Sequence, residues 1–419
     1  MLSLHTRLTK VGTLTFLATW TFSFQASAEV LSVSTPFVAP EGEYVTQKDR
    51  YYRFRIPGLI VAPDGTVLAF SEARRGDGSD PRTDENAPID MTMRRSTDQG
   101  RTWEPLVVID SGFRPNGGLV DFGDPTPVVD AITRTVFLFY GQWPDIGPDA
   151  VKPGQSPDAA DGNHVVWVRS SSDNGKTWSE RKQVLYPDEP EETSDGLYWR
   201  QAEPGPGNGI QLEWQDGVEW RRGRLVIPAK RSASSTPNGP VSVAPFVYYS
   251  DDHGATWEVG RATAGPDANE DEVVELIDGR LLLDGRQNDG KFRRRHLSTD
   301  GGFSWSADRP DKLALPRVDG SLIRYSAKHA GHDKDRILFS APRGEGGLNR
   351  NNITVWTSYD EGRKFINPVQ LNSGFAAYSV LTRLADGTIG LLVETASGES
   401  ERYGEITFYR FDLAELESQ

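Results

Sequence analysis

A turn pattern that occurs five times, a short strand-like run before each copy, and a hairpin-like pair of strands before that predict an all-β fold. The architecture they point to is a six-bladed β-propeller of four-stranded antiparallel blades. The pattern is S-x-D-x-G-x-T-W: STDQGRTW at Ser96 to Trp103, SSDNGKTW at Ser171 to Trp178, SDDHGATW at Ser250 to Trp257, STDGGFSW at Ser298 to Trp305, and a degenerate SYDEGRKF at Ser358 to Phe365. In each copy the Asp can bond backbone N–H groups of the turn, the Gly supplies a positive φ, and the aromatic packs beneath. The spacing is unlike a calcium loop, so the repeat reads as a fold-stabilising turn.

The N-terminal residues come first in chain order. Arg7 and Lys10 precede an apolar run from Val11 to Phe24, and Ala26-Ser27-Ala28 offers small residues for cleavage. Residues 1–28 are therefore expected to be a signal peptide cleaved after Ala28, with a secreted or periplasmic product and residues 29–419 as a single propeller domain. The run is too short and too rich in Thr for a membrane span, and none is expected later in the chain. Hairpins are then expected near Arg55 to Glu72, Pro125 to Tyr140, Gly209 to Lys230, Glu270 to Arg286, Val318 to Ala341 and Ala377 to Glu394, the last followed by EITFYRF at Glu405 to Phe411. The short runs MTMRR, VVWVRS, PFVYY, RRRHL and ITVWT lead into the five repeat turns as third strands. Strands near one terminus would complete the last blade.

Composition narrows the chemistry. With 42 Gly, 27 Pro and 11 Trp the chain suits short strands and turns, and with no Cys it has neither disulfides nor a thiolate metal site. Six scattered His and no HExxH give no sign of a metal. A formal charge of −14 opposes nucleic acid and anionic lipid, so an anionic ligand would need a local cluster of Arg.

Connectivity gathers such a cluster. In an antiparallel four-stranded blade the first and third turns share one end, so residues a strand's length from the Asp-Gly turns and the repeat turns share the other. Glu270 stands eight residues before Asp278 and Arg286 seven after Gly279; Tyr378 and Glu394 bracket Asp386-Gly387 in the same way. Arg55 stands nine before Asp64, Arg350 eight before Ser358, and Asp84 lies in the connection from Arg74 to Asp90. A single charged strand end is ordinarily solvated. Three guanidinium groups converging from different blades repel one another unless carboxylates or an anionic ligand neutralise them.

Arg55-Ile56-Pro57, the five turns (the Asp boxes of the family), NEDEVVELIDGRLLLDGR, RNNITV and AYSVLTRLADGTIGLLVE, in this order, are similar to an exported bacterial exo-sialidase of the sialidase (neuraminidase) superfamily. The resemblance runs from about Tyr51 to the C-terminus. It implies that Arg55, Arg286 and Arg350 clamp the carboxylate of sialic acid, that Glu394 braces Arg55, and that Tyr378 is a nucleophile activated by Glu270. Asp84 is implied as the general acid/base, with Asp80 the alternative in a loop that also holds Asp77 and Asp90 and is longer than the family's. Arg74 and Asp124 are implied as binding residues near the 4-position or the N-acyl group. The loop from Trp143 to Asn163, and Trp199 with the GPGNGIQL segment, are expected at the pocket rim. The implied reaction is retaining exo-α-sialidase hydrolysis of sialylated glycans by a monomer without cofactor. Three alternatives share the scaffold: a trans-sialidase, a hydrolase of deaminated sialic acid, and a non-catalytic propeller that binds glycans or proteins.

Overall fold

The computed structural model describes residues 30–40, 50–81, 87–113, 118–143, 164–187, 191–236, 239–265, 267–307, 309, 312–344, 349–397 and 401–418. The expected leader, residues 1–28, lies outside them. The regular structure of the described residues is almost entirely β-strand, with one short helix, Leu413–Glu417, and two 3₁₀ turns, Glu219–Arg221 and Lys328–Ala330. Among these residues no helix is long and apolar enough to cross a membrane.

The expected hairpins are present: Arg53–Val61 with Val67–Arg74, Asp121–Asp130 with Thr135–Trp143, Ala268–Glu275 with Leu281–Gln287, Ser321–Ser326 with Arg336–Pro342, and Ala376–Arg383 with Ile389–Ser397. One differs. The third begins at Tyr198 rather than Gly209: Tyr198–Pro204 pairs with Leu225–Ser234, and after an interruption Ile210–Gln211 pairs with the same strand. Pro204 and Pro206 bring no N–H to the ladder, and Gly205 and Gly207 adopt positive φ between the two segments.

Val30–Val38 pairs antiparallel with Glu401–Phe411, so the sheet that ends the chain is completed by its first described strand. That sheet and the one from Ser321 to Gln370 are four-stranded; a three-stranded sheet spans Ala268 to Ser298, and a five-stranded one Tyr198 to Val259. The eight-stranded sheet from Arg53 to Val184 consists of two antiparallel halves joined by a single parallel bridge, Ile89 to Asp121. First strands of successive hairpins touch in cyclic order, and Arg53–Val61 meets both Asp121–Asp130 and Ala376–Arg383. The arrangement is that of a β-propeller.

A two-stranded hairpin is marginal alone in water, so stability must come from between the sheets. Phe139 stacks on Tyr248 across one interface at 6.1 Å, and Phe37 meets Phe54 across another at 5.3 Å. Each such buried side chain is worth about 2–3 kcal/mol. The Asp boxes lock the same interfaces. The box Ser accepts the N–H of the box Gly at 2.8 Å in the first three copies, 2.9 Å in the fourth and 3.0 Å in the fifth. The box Asp accepts the N–H of the residue four further on at 2.8–3.0 Å throughout. Every box glycine abuts the preceding sheet: a Cβ at Gly100, Gly175, Gly254, Gly302 or Gly362 would fall 2.1–2.9 Å from Phe408, Leu68, Phe137, Val247 or Leu282. Box aromatics follow, Trp103 meeting Phe408 edge-on at 5.5 Å and Trp257 meeting Phe139 at 4.6 Å.

Candidate active site

Strand register settles which end carries the boxes. Ser96 pairs with Val67, Ser250 with Leu225 and Ser298 with Leu281, each beside its sheet's tight turn or inner loop. At the opposite end, four first strands are interrupted at one level by a bulge in which two residues face one. Ile56 and Pro57 face Ser71, Asp124 and Pro125 face Tyr140, Asn269 and Glu270 face Arg286, and Ala377 and Tyr378 face Glu394. A bulge bends its strand and re-aims a side chain that simple alternation would direct elsewhere. Here the bulges turn Arg55, Asp124, Glu270 and Tyr378 toward a pocket of about 700 Å³. Ile56 and Asp124 hold φ of 55° and 54°, a strained conformation for residues with a Cβ.

One wall gathers three arginines. Arg55 Nε donates to Glu394 Oε1 at 2.6 Å, and the same carboxylate accepts the N–H of Ile56 at 2.8 Å and of Tyr378 at 3.3 Å. Arg286 Nη1 donates to the Tyr378 hydroxyl at 2.8 Å and to Glu270 Oε2, while the Tyr378 hydroxyl donates to Glu270 Oε1. Arg350 Nη1 donates to the Tyr403 hydroxyl and Nη2 to the Arg317 carbonyl, both at 2.9 Å. Burial, reinforced by the facing Glu270 carboxylate, pushes the Tyr378 phenol well above its usual range. Burial would also raise Glu270, but Arg286 and Lys230 outweigh it and hold that carboxyl below its ordinary value. The pair therefore rests as phenol and carboxylate, the state required of a nucleophile and its base.

The facing wall is also ionic. Lys230 Nζ lies 2.9 Å from Asp124 Oδ2 and 3.0 Å from Glu203 Oε2, and donates to the Gly205 carbonyl at 3.2 Å. One ammonium cannot neutralise two buried carboxylates. For Glu203 burial is outweighed by Lys230 and His164, and the carboxyl stays low. Asp124 is pushed up to about 7 by burial, with Glu203 and Glu72 adding to the shift and Lys230 opposing it. Arg74 Nε donates to Glu72 Oε2 at 2.8 Å and its Nη1 to Asp80 Oδ1 at 2.6 Å; Glu72 Oε1 in turn accepts the N–H of Asp124 at 3.1 Å.

Eight of the nine site residues expected from sequence thus meet in or beside one pocket: Arg55, Arg74, Asp124, Glu270, Arg286, Arg350, Tyr378 and, behind Arg55, Glu394. Asp84 lies outside the described residues. Asp80, largely exposed, accepts from Arg74 at 2.6 Å and lies 3.6 Å from Arg55, and with Arg350 these cations hold its carboxyl low. Asp90 is buried against Arg75 at 2.8 Å and Tyr51 at 2.5 Å and does not line the pocket. Trp199, expected at the rim, is instead buried against Phe246 at 5.0 Å. Trp143, where the loop expected at the rim begins, lines the pocket, and residues 144–163 lie outside the described residues; Tyr403, Lys230, Glu203 and Glu72 line it without having been singled out as site residues. Among the described residues no group of three or more His, Asp or Glu could hold a metal.

Comparison with known proteins agrees with this geometry. Residues 60–391 match the BNR repeat-like domain family. The chain is 32% identical over 395 residues to a sialidase of Micromonospora viridifaciens, covering 93% of this chain and 56% of that protein. It is 32% identical over 380 residues to a sialidase of Paraclostridium sordellii, covering 86% and 85%. Among solved structures it resembles the Hadza microbial sialidase Hz136, with a TM-score of 0.70 at 26% identity, over 86% of this chain and 66% of that one.

Proposed function

The chain belongs to the sialidase superfamily, in its BNR-repeat branch, and from that premise we propose that it is a retaining exo-α-sialidase acting through a covalent sialosyl-tyrosine. One observation carries the reading: the buried Tyr378 hydroxyl is hydrogen-bonded to Glu270 beside Arg286, in a pocket that Arg55 and Arg350 also line. The substrate carboxylate binds Arg55, Arg286 and Arg350, whose planar forks match it better than Lys would. Tyr378 attacks the anomeric carbon as Glu270 takes the phenol proton. The bond to the leaving oxygen breaks, and Asp84 supplies that oxygen with a proton. Water then gives a proton to the Asp84 carboxylate and attacks the anomeric carbon; the tyrosine oxygen leaves and recovers its proton from Glu270. Two inversions give retention. A neutral phenol suits this substrate because a carboxylate nucleophile would be repelled by the carboxylate next to the reacting carbon.

Counting the two halves of the eight-stranded sheet separately, the same reading takes the fold as six blades in one domain, residues 29–419. It also takes residues 1–28 as a cleaved leader of an exported monomer that acts on sialylated glycans without cofactor; an exported protein whose N-terminus is not Glu29 would reject that cleavage. A second reading of the substrate, a deaminated sialic acid, is favoured by the wall facing the clamp. There the Lys230, Asp124 and Glu203 cluster is suited to hydroxyl groups, and Trp143 is its one large apolar surface among the described residues.

The test is release of 4-methylumbelliferone from α-sialosides with N-acetyl, N-glycolyl and hydroxyl groups at C5, beside Tyr378→Phe and Asp84→Ala. Release by the wild type and its loss in Tyr378→Phe are expected. No release from any of the three rejects the sialidase reading, and full activity of Asp84→Ala rejects Asp84 as the acid/base.

A further inference from the structure

Arg350 differs from the other two clamp arginines in what holds it. Arg55 is paired with Glu394 and Arg286 with Glu270. Among the described residues Arg350 has no carboxylate at ion-pair distance; its partners are the Tyr403 hydroxyl and the Arg317 carbonyl, both neutral. The ring of Tyr403 also lies under the Arg55 guanidinium, 4.0 Å from Cζ to the ring centroid, and is backed edge-on by Phe375 at 4.7 Å.

Tyr403 reaches this place at a backbone cost. It holds φ at 63°, rare for a residue with a Cβ. Its strand is bulged there: Thr395 pairs with Glu405 and Ser397 with Glu401, which leaves Arg402, Tyr403 and Gly404 facing a single residue. Gly404 belongs to the same device, since a Cβ on it would fall 2.0 Å from Ser397 Oγ. This is the means by which Arg55, Asp124, Glu270 and Tyr378 are presented, used once more, on an outer strand.

We propose that Tyr403 is a positioning residue of the arginine clamp, orienting Arg350 through its hydroxyl and Arg55 through its ring while leaving the charge of Arg350 to the substrate carboxylate. The inference rests on the sialidase reading of the pocket. A carboxylate in place of the phenol would orient Arg350 equally well but would neutralise it and compete with the ligand. A neutral acceptor and an aromatic face fix direction without that loss.

The experiment compares wild type, Tyr403→Phe and Tyr403→Leu in turnover of the 4-methylumbelliferyl α-sialoside. Binding of 2,3-didehydro-2-deoxy-N-acetylneuraminic acid and of its methyl ester is measured alongside, with a crystal structure of Tyr403→Phe. Removing one hydrogen bond that orients a charged group should raise KM and the Kd of the free acid about 10-fold in Tyr403→Phe, with kcat within about twofold. Selectivity for acid over ester should fall by the same factor. Tyr403→Leu, which also loses the ring, should lose more. Wild-type binding of the acid by Tyr403→Phe, or equal losses of acid and ester, overturns the proposal. If the wild type turns over no sialoside, the sialidase reading fails by itself. The position of the Arg350 guanidinium then decides the remainder: displaced in Tyr403→Phe, the positioning role stands; unmoved, it falls.

Discussion

The two ends of the propeller use the same strained backbone for opposite purposes. At the box end the fourth residue of every Asp box has a positive φ: 64° at Gln99, 61° at Asn174, 59° at His253, 70° at Gly301 and 63° at Glu361. The same Ser and Asp hydrogen bonds satisfy the turn in each copy. At the pocket end positive φ recurs at Ile56, Asp124, Asn352 and Tyr403, with no shared turn motif. The Ile56 N–H is taken by Glu394, that of Asp124 by Glu72 and that of Asn352 by the Gly374 carbonyl. Repeated strain with a repeated remedy belongs to blade assembly. Unrepeated strain, held at Ile56 and Asp124 by buried carboxylates of other strands, marks the place where side chains are aimed at a ligand.

The largest expected effect tests that division directly. Glu270→Gln keeps the volume and a hydrogen bond to Tyr378 but removes the proposed base, so kcat for sialoside hydrolysis should fall about 10³-fold. Melting should change far less than it does in Asp252→Ala, which unties a box turn and should leave kcat unchanged. If Asp252→Ala abolished turnover at a temperature where it stays folded, or Glu270→Gln unfolded the protein while keeping its rate, the ends would not be separable in this way.

This division also governs what could be read before the structure. Box turns were legible because they repeat, and the hairpins because Asp64-Gly65, Asp278-Gly279 and Asp386-Gly387 punctuate alternating strands. The bulges were less legible. The offset of Glu270, eight residues before its turn, against Arg286, seven after, already holds at Asp271 and Gly285 within the regular ladder, so it belongs to the turn and not to the extra residue. Gly404 inside a strand run was a hint of the bulge at Tyr403. Lys230 carried no such signal: within LVIPAKRSAS it reads as a solvated strand residue, and only tertiary packing puts it between Asp124 and Glu203. Trp199 failed as a rim residue for the converse reason, since an indole facing Phe246 in the core is worth more there than at the surface.

A smaller effect separates the two walls of the pocket by pH. Asp124 is pushed up to about 7 in the folded protein, against an ordinary value of 3.8. Below the ordinary value both folded and unfolded forms are protonated and the group has no net effect. Between the two values the unfolded chain releases its proton while the folded one retains it, so the stability this group allows declines as pH rises toward 7. Asp124→Asn removes the titration. Its stability relative to wild type, measured by urea unfolding, should increase between pH 4 and pH 7 by an amount on the order of 2 kcal/mol. A pH-independent difference would show that Lys230 keeps Asp124 ionised throughout.

The smallest effect concerns the one box that departs from the pattern. In the first three copies a Thr hydroxyl donates to the second oxygen of the box Asp at 2.6 Å, and in the fourth a Ser does so. In the fifth the corresponding residue is Lys364, which offers Asp360 its backbone N–H at 3.0 Å and no hydroxyl. Its sheet also uses Phe365, at 5.4 Å from Phe339, where the other copies have Trp. If the turn bonds are additive parts of blade assembly, Lys364→Thr should restore the missing bond and stabilise the protein by about 0.5–1 kcal/mol, read as a higher urea midpoint with an unchanged slope. Because Lys364 is exposed, loss of its charge should change little. No gain would mean that the fifth turn is already satisfied by water. A gain accompanied by altered kcat would couple the two ends of the propeller through the strands and packed sheets that join them.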